Sequence, residues 1–247
     1  MLHLTPHRAV DYSPIKMRDA QRSLPLVARS RWGGARRGAG RKRVPGRRSS
    51  VAHRARPRFD ARHPALVTLR ARSGVDWLRT PLAYRALESA LARASRESFR
   101  VVHFSVQTNH LHLIVEADSA DALSRGMRGL AIRCALAANR ATGRSGALWG
   151  ERYHASPLRT PRMVRNALVY VLGNARKHLR VRQGVDPCSS ARFFDGFREA
   201  DGASVPNGAP PTRTPQTWLL RTGWRRHGLL AVDEGPAVAR GVPGRAA

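Results

Sequence analysis

Acidic residues are scarce in this sequence. Its 247 residues include 16 Asp and Glu against 45 Lys and Arg, which gives a formal net charge of +29. A chain of this charge density repels itself unless a polyanion or a dense layer of counterions relieves the repulsion. A nucleic acid would do so, because each neutralised phosphate also releases condensed counterions. The shortage of acids therefore predicts a nucleic-acid partner.

Cysteine and long apolar runs are also lacking. The two cysteines, Cys134 and Cys188, lie far apart, which excludes a disulfide framework or a zinc ribbon and is typical of a reducing compartment. No apolar run approaches the length of a membrane span, which is about 20 residues. Residues 1–25 contain no apolar signal core. We therefore expect a cytoplasmic, nucleoid-associated protein without a membrane partner.

Charge and composition divide the chain into three parts. Residues 29–58 contain twelve Lys and Arg and no acid, interleaved with glycine, so residues 1–58 are predicted to be a disordered basic arm. Residues 59–182 carry the apolar periodicity of a folded domain. Residues 183–247 are rich in Pro and Gly and include an aromatic segment between Trp218 and Leu230. The pattern leaves open whether this segment packs on the domain or contacts DNA.

The central part shows an alternation of strands and helices. Strands are predicted at 65–71, 99–107, 110–117 and 153–159, and helices at 82–96, 120–142 and from Pro161 to about Leu179. Thr80, Ser119 and Thr160 are the predicted N-caps, and Gly143 the predicted stop of the second helix. The order β-α-β-β-α-β is typical of the ferredoxin-like split βαβ fold, an α+β class with an antiparallel sheet and helices on one face. The last helix is an addition to it.

Two histidines in the predicted hairpin are the first candidates for chemistry. Side chains alternate along a strand, so His110 and His112 share one face while Leu111 and Leu113 point to the other. Two imidazoles on one face provide half of a metal site. In the last helix, Tyr170 and Asn174 are four residues apart and share a helical face. Neither pair is specific by itself.

Together these residues carry a family resemblance. The stretch Gln107-Thr-Asn-His110-Leu-His112-Leu-Ile-Val115, followed by Tyr170 and Asn174, resembles the HUH single-strand transposases of the IS200-like family, and more narrowly the REP-associated tyrosine transposases. The segment from Leu168 to His178 and the arm around Arg41 are similar to that subgroup as well. The resemblance covers about residues 65–179 and identifies residues 59–182 as a transposase catalytic domain.

The resemblance implies a role for each of these residues. His110, His112 and Asn174 would bind a divalent ion, Mg²⁺ or Mn²⁺, that polarises the scissile phosphate. Tyr170 would attack phosphorus and form a 5′-phosphotyrosine, releasing a 3′-OH that can later reverse the step. The expected substrate is single-stranded or hairpin DNA, bound by a monomer or a homodimer. Two departures concern the third ligand, since Gly173 precedes Asn174 and Ala175 stands where many relatives have proline.

Basic residues bracket the predicted nucleophile and fill the arm. Arginine forks suit phosphate and guanine. The residues predicted to contact DNA are Arg36, Arg37, Arg41, Lys42, Arg43, Arg152, Arg159, Arg162, Arg176 and Lys177, and Arg165 belongs to the same run.

Two other functions compete with this hypothesis. A non-catalytic nucleic-acid-binding protein on the same fold would stack bases on exposed aromatic side chains, and the central strands offer only Phe104. Another HUH enzyme, a replication initiator or a relaxase, is usually a larger chain and often has a pair of tyrosines. Among the other tyrosines here, Tyr153 is the one rival nucleophile.

Overall fold

The described part of the chain is built on one four-stranded antiparallel sheet. The computed structural model describes residues 59–174, 184–199 and 209–235. The strands are β1 (Ala65–Arg70), β2 (Phe99–Val106), β3 (His110–Ala117) and β4 (His154–Pro157). They lie in the order β2-β3-β1-β4, and every pairing is antiparallel. This is the predicted α+β arrangement, with the second and third strands joined as a hairpin.

Two helices cover one face of the sheet, as predicted. They are α1 (Pro81–Ala92) and α2 (Ala120–Thr142). The Ser119 hydroxyl accepts a hydrogen bond from the backbone N–H of Ala122, and Gly143 ends α2 with a left-handed φ of 65°. Thr80 is the N-cap residue of α1, as predicted, but its side chain makes no capping hydrogen bond. The α2 side chains Met127, Leu130 and Cys134 are fully buried in the core below.

A tight turn joins β2 to β3. The backbone N–H of Gln107 donates to the carbonyl of His110, which leaves Thr108 and Asn109 as the two turn residues. Along β3, Leu111, Leu113 and Val115 enter the core under α1 and α2, whereas Ile114 belongs to a second core on the other face. The predicted alternation is therefore present, and His110 and His112 lie on the second face.

The helix α3 (Pro161–Leu172) packs against β2 and β3 on this second face. The Thr160 hydroxyl accepts from the Met163 N–H, and Pro161 fits the first turn because its missing N–H has no partner there anyway. The predicted helix is present as far as Leu172, and Gly173 is its C-cap. Its predicted continuation to about Leu179 lies outside the described residues.

The described parts of the C-terminal extension pack back on the domain. Residues 184–199 extend the sheet at the outer edge of β2, where the Val106 N–H donates to the carbonyl of Cys188. Residues 209–235 contain α4 (Trp218–Arg221) and a 3-10 helix (Gly223–His227), and Trp224 is buried in the second core. Another 3-10 helix spans Ser190–Phe193. The aromatic segment thus packs on the domain, which is one of the two alternatives that the sequence left open.

A buried carboxylate attaches this extension to the sheet. The Glu116 side chain is fully buried, and it accepts hydrogen bonds from the backbone N–H groups of Gln216 and Thr217 and from the Thr217 hydroxyl. The Arg100 guanidinium lies 3.4 Å from the same carboxylate. A charged group in the interior is tolerated only with such partners, so Glu116 specifies where α4 begins.

Several predictions concern parts of the chain that lie outside the described residues. They are the basic arm (1–58) with Arg36, Arg37, Arg41, Lys42 and Arg43, and the continuation of the last helix with Arg176 and Lys177. None of the helices in the described ranges is both long and apolar enough to cross a membrane.

Candidate active site

Three side chains predicted from sequence meet on the second face of the sheet. The Nε2 atoms of His110 and His112 lie 2.9 Å apart. The Tyr170 hydroxyl oxygen lies 3.1 Å from His112 Nε2, and the two rings meet edge to face with centroids 4.7 Å apart. Both imidazoles come from β3, whose side chains alternate between the two faces. The phenol comes from α3, which packs on the same face as the imidazoles.

Neighbouring residues orient both imidazole rings. Thr68 lies directly opposite His112 in the register of β1 and β3, and its hydroxyl is 3.1 Å from His112 Nδ1. The Asn109 side-chain oxygen is 2.7 Å from His110 Nδ1. That oxygen can only accept, so His110 donates its Nδ1 proton to it. When both imidazole rings are neutral and carry their proton on Nδ1, each Nε2 atom has a free lone pair. The two lone pairs then face the same region in front of Tyr170.

This arrangement fits a shared divalent ion. Two ligand atoms about 2.1 Å from an octahedral ion and at right angles lie about 3.0 Å apart, which matches the separation of 2.9 Å between the Nε2 atoms. Two lone pairs at this distance repel unless a proton or a cation lies between them. Metal-binding histidines typically donate their other ring N–H to an oxygen, as His110 does to Asn109.

The third predicted ligand directly follows Gly173 at the end of α3. Asn174 is completely buried, and neither its side-chain nitrogen nor its oxygen has a hydrogen-bond partner among the described residues. A buried amide without partners is unfavourable by about 1–3 kcal/mol. Bonding to an ion would satisfy its oxygen. The role of Asn174 as a third metal ligand stays a prediction. No group of three or more His, Cys, Asp or Glu within the described ranges is arranged to hold a metal ion.

Tyr170 lies in a partly buried position at the edge of the second core. Burial raises the pKa of its phenol above the ordinary value near 10, because the low-dielectric surroundings disfavour the phenolate. The side chain therefore stays protonated at neutral pH without help from a base or a cation. The rival Tyr153 packs against the core on the opposite face, away from the histidines.

An arginine that sequence analysis did not single out lies on the face of the histidines. Arg70 is opposite His110 in the register of β1 and β3, so its side chain emerges on the same side as the imidazoles. Its side chain is exposed and forms no hydrogen bond or ion pair with any described residue. An unpaired cation one strand from the histidines is suited to bind a phosphate oxygen.

The other predicted DNA contacts divide into two groups. Arg152, Arg159 and Arg162 are exposed around β4 and the start of α3, where they remain candidates. Arg165, grouped with them from sequence, is instead bound to Glu234 through two nitrogen–oxygen contacts of 2.6 and 2.8 Å. It holds the end of the extension against α3.

Neither Phe104 nor Trp149 is placed to stack a base on the sheet. Phe104 is fully buried in the core under α1 and α2. The Trp149 indole N–H donates to the carbonyl of Ala131 on α2, so this ring positions the segment before β4. The sheet therefore lacks the exposed aromatic side chains of a stacking module along its described strands.

Sequence reasoning missed Thr68, Arg70 and the orienting role of Asn109. Thr68 and Arg70 alternate with buried residues along β1, so one polar face of this strand was detectable. Which residue faces which histidine depends on the register with β3, and the sequence carries no direct signal for that.

Comparison with solved structures finds similar chains. The structure described as "Structure of the REP associates tyrosine transposase bound to a REP hairpin" is similar to this chain with 20% sequence identity, a TM-score of 0.45, and coverage of 59% of this chain and 81% of that chain. No protein-family model matches the sequence, and no curated protein matches it. The function is therefore argued from the site geometry.

Proposed function

We propose that this protein is a metal-dependent tyrosine endonuclease and transposase that cleaves and rejoins single-stranded or hairpin DNA. One observation carries the proposal: the Tyr170 hydroxyl lies 3.1 Å from His112 Nε2, which lies 2.9 Å from His110 Nε2. A potential nucleophile and a two-nitrogen cation site thus share one point on the sheet. The positive charge of the chain supports a polyanionic substrate.

The reaction would conserve the phosphodiester bond energy. The Tyr170 oxygen attacks phosphorus, a Tyr170 O–P bond forms and the P–O3′ bond breaks. The phenol loses one proton and the departing O3′ takes up one, so no proton is gained or lost overall. The products are a 5′-phosphotyrosine and a free 3′-OH, and attack by a 3′-OH on the phosphotyrosine rejoins the strand.

The residues of the site have distinct parts in this step. A divalent ion, when bound by His110 and His112, supplies positive charge that stabilises the phosphate and the phenolate. Thr68 and Asn109 hold the two rings so that their Nε2 atoms converge. Arg70 binds a non-bridging phosphate oxygen beside them, and Arg159 and Arg162 contact the adjoining strand. Asn174 is the proposed third ligand.

The decisive experiment detects the covalent intermediate. The pure full-length protein is incubated with 5′- or 3′-labelled single-stranded and hairpin oligonucleotides and Mn²⁺ or Mg²⁺, and the products are separated on denaturing gels. We expect a labelled protein adduct and a 3′-OH fragment with the wild type. We expect neither with chelator, nor with Tyr170→Phe.

Tyr153→Phe is the matched control, since it removes the same hydroxyl on the opposite face of the sheet. It should form the adduct at nearly the wild-type rate. An adduct that persists in Tyr170→Phe contradicts the assignment of the nucleophile. Tight DNA binding that is insensitive to chelator and produces no cleavage would instead identify a non-catalytic nucleic-acid-binding protein.

A further inference from the structure

A cleft opens beside Tyr170 on the half of the sheet that α3 leaves uncovered. Its volume is about 470 Å³, within the range of about 300–1,000 Å³ typical of small-molecule sites. The floor includes Leu66 of β1 and Ser156 of β4, which are paired in the sheet register. The wall is the face of α3 that carries Tyr170. The cleft therefore adjoins the proposed nucleophile.

The cleft wall combines apolar and uncharged polar side chains. Met163, Asn166 and Tyr170 line it at helical spacing along α3. Met163 is 40% exposed, so it offers apolar surface to a ligand. The exposed Asn166 amide makes no hydrogen bond to any described residue, so it offers both a donor and an acceptor.

Among the described residues that line the cleft, the one acidic group is neutralised. Glu234 lies at its border, and the Arg165 guanidinium binds both of its carboxylate oxygens. This contact holds the pKa of Glu234 below its usual range. The cleft thus presents apolar surface with amide and hydroxyl groups and without an unpaired charge. Such a surface suits a neutral, flat, hydrogen-bonding ligand better than a phosphate.

We infer that this cleft binds one unpaired nucleobase of the DNA strand, next to the phosphate that Tyr170 attacks. Leu66 and Met163 would contact the faces of the base, and Asn166 and Ser156 would read its polar edge. Apolar contacts on the base faces and hydrogen bonds to the edge are how proteins hold bases outside a duplex. The inference rests on the proposed function, because it takes DNA as the ligand.

The position of the cleft explains why a base would reach it. A phosphate beside Tyr170 and Arg70 brings its two flanking nucleotides to the same half of the sheet, and α3 closes the side toward β2. Arg70 and Leu66 lie on the same face of β1, separated by Thr68. The uncovered half of the sheet therefore has a basic end for a phosphate and an apolar end for a base.

The test measures binding without cleavage. The full-length protein is titrated with four fluorescent homopolymeric 12-mers and an abasic 12-mer of equal charge, in the presence of chelator. Homopolymers make the outcome independent of where the strand is cut. We expect the wild type to bind at least one homopolymer about tenfold more tightly than the abasic strand.

Two variants assign that preference to the cleft. Ser156→Phe fills the floor and should reduce the ratio of base-containing to abasic affinity to near one. Asn166→Leu keeps the size of the side chain but removes its hydrogen bonds, and should make the four homopolymers bind alike. Leu136→Phe, on an exposed position of α2 on the opposite face, should leave both ratios unchanged.

Each outcome bears on one proposal only. Unchanged ratios in Asn166→Leu, which is exposed and does not threaten folding, would overturn the base-binding cleft even if Ser156→Phe fails to fold. A wild type that does not distinguish abasic from base-containing strands would overturn it as well. The adduct assay decides separately whether the protein is a tyrosine endonuclease. A protein that reads bases in the cleft but forms no adduct would lose only the catalytic proposal.

Discussion

The two faces of the sheet differ in how their residues are used. The face under α1 and α2 is apolar, and its β3 residues Leu111, Leu113 and Val115 are fully buried. The other face alternates with it along the same strands but carries His110 and His112, and α3 with the C-terminal extension covers only part of it. A sealed face supplies stability, and a partly open face leaves room for a ligand.

The open face therefore depends on contacts that are distant in sequence. Glu116 attaches the segment before α4, and Glu234 attaches the end of the extension to α3 through Arg165. The sealed face is covered by α1 and α2, which also pack against each other. Substitutions on the two faces should accordingly separate stability from activity.

The largest effect is expected from the histidine pair. His112→Ala removes one of the three proposed ligands and the hydrogen-bond partner of Tyr170, so the rate of adduct formation should fall by about 10²–10³-fold. The increase in melting temperature caused by Mn²⁺ should disappear as well. His154→Ala is the matched control, because His154 is an exposed histidine on β4, two strands away. A wild-type Mn²⁺ response in His112→Ala would show that the ion binds elsewhere.

On the sealed face, Leu130→Ala should lower stability and leave the chemistry intact. Leu130 is fully buried between α2 and the sheet, and truncating such a residue destabilises by about 2–5 kcal/mol. Urea unfolding measures this loss, and the adduct rate below the unfolding transition should stay within about twofold of the wild type. Ile132→Ala, at a 51% exposed position of the same helix, should change stability by less than about 0.5 kcal/mol.

The open face should also make stability sensitive to acid. Burial lowers the pKa of His103 from 6.5 to about 4. At pH values between these two, His103 binds a proton in the unfolded chain but not in the folded protein. Stability from this group is complete above pH 6.5 and is lost as the pH falls toward 4. We expect a loss of roughly 2–3 kcal/mol between pH 7 and 4.5.

The variant His103→Gln isolates this contribution from other titrating groups. It should be less stable than the wild type at pH 7, but its stability should fall less between pH 7 and 4.5, as measured by urea midpoints. Equal slopes for both proteins would show that His103 does not titrate below its ordinary pKa.

The smallest effect is expected from Arg70→Ala. Losing one phosphate contact should weaken DNA binding about tenfold, uniformly across sequences, and reduce the slope of log affinity against log salt by about 1. Arg128→Ala removes an equal charge from the exposed side of α2 and should change the slope much less. An identical slope for wild type and Arg70→Ala would place the phosphate elsewhere on the open face.

Much of the fold was predictable because its signals are local. The Ser119 and Gly143 boundaries of α2, the turn at Thr108 and Asn109 and the alternation along β3 all follow from short-range sterics and hydrogen bonds. The role of Gly173 could not be read from the sequence, since a glycine within a helical pattern is compatible with either a weak point or a stop. In the structure it is the C-cap of α3.

The sequence by itself determined the charge of the protein, the strand that carries two histidines on one face and the helix that carries Tyr170. These properties depend on residue type and on the periods of 2 and 3.6 residues. Only the tertiary structure decided that α3 crosses the sheet where His112 lies, that Arg70 is opposite His110, and that a cleft remains open beside Tyr170. Those are consequences of strand register and packing, which join residues too far apart in sequence for any local pattern to specify.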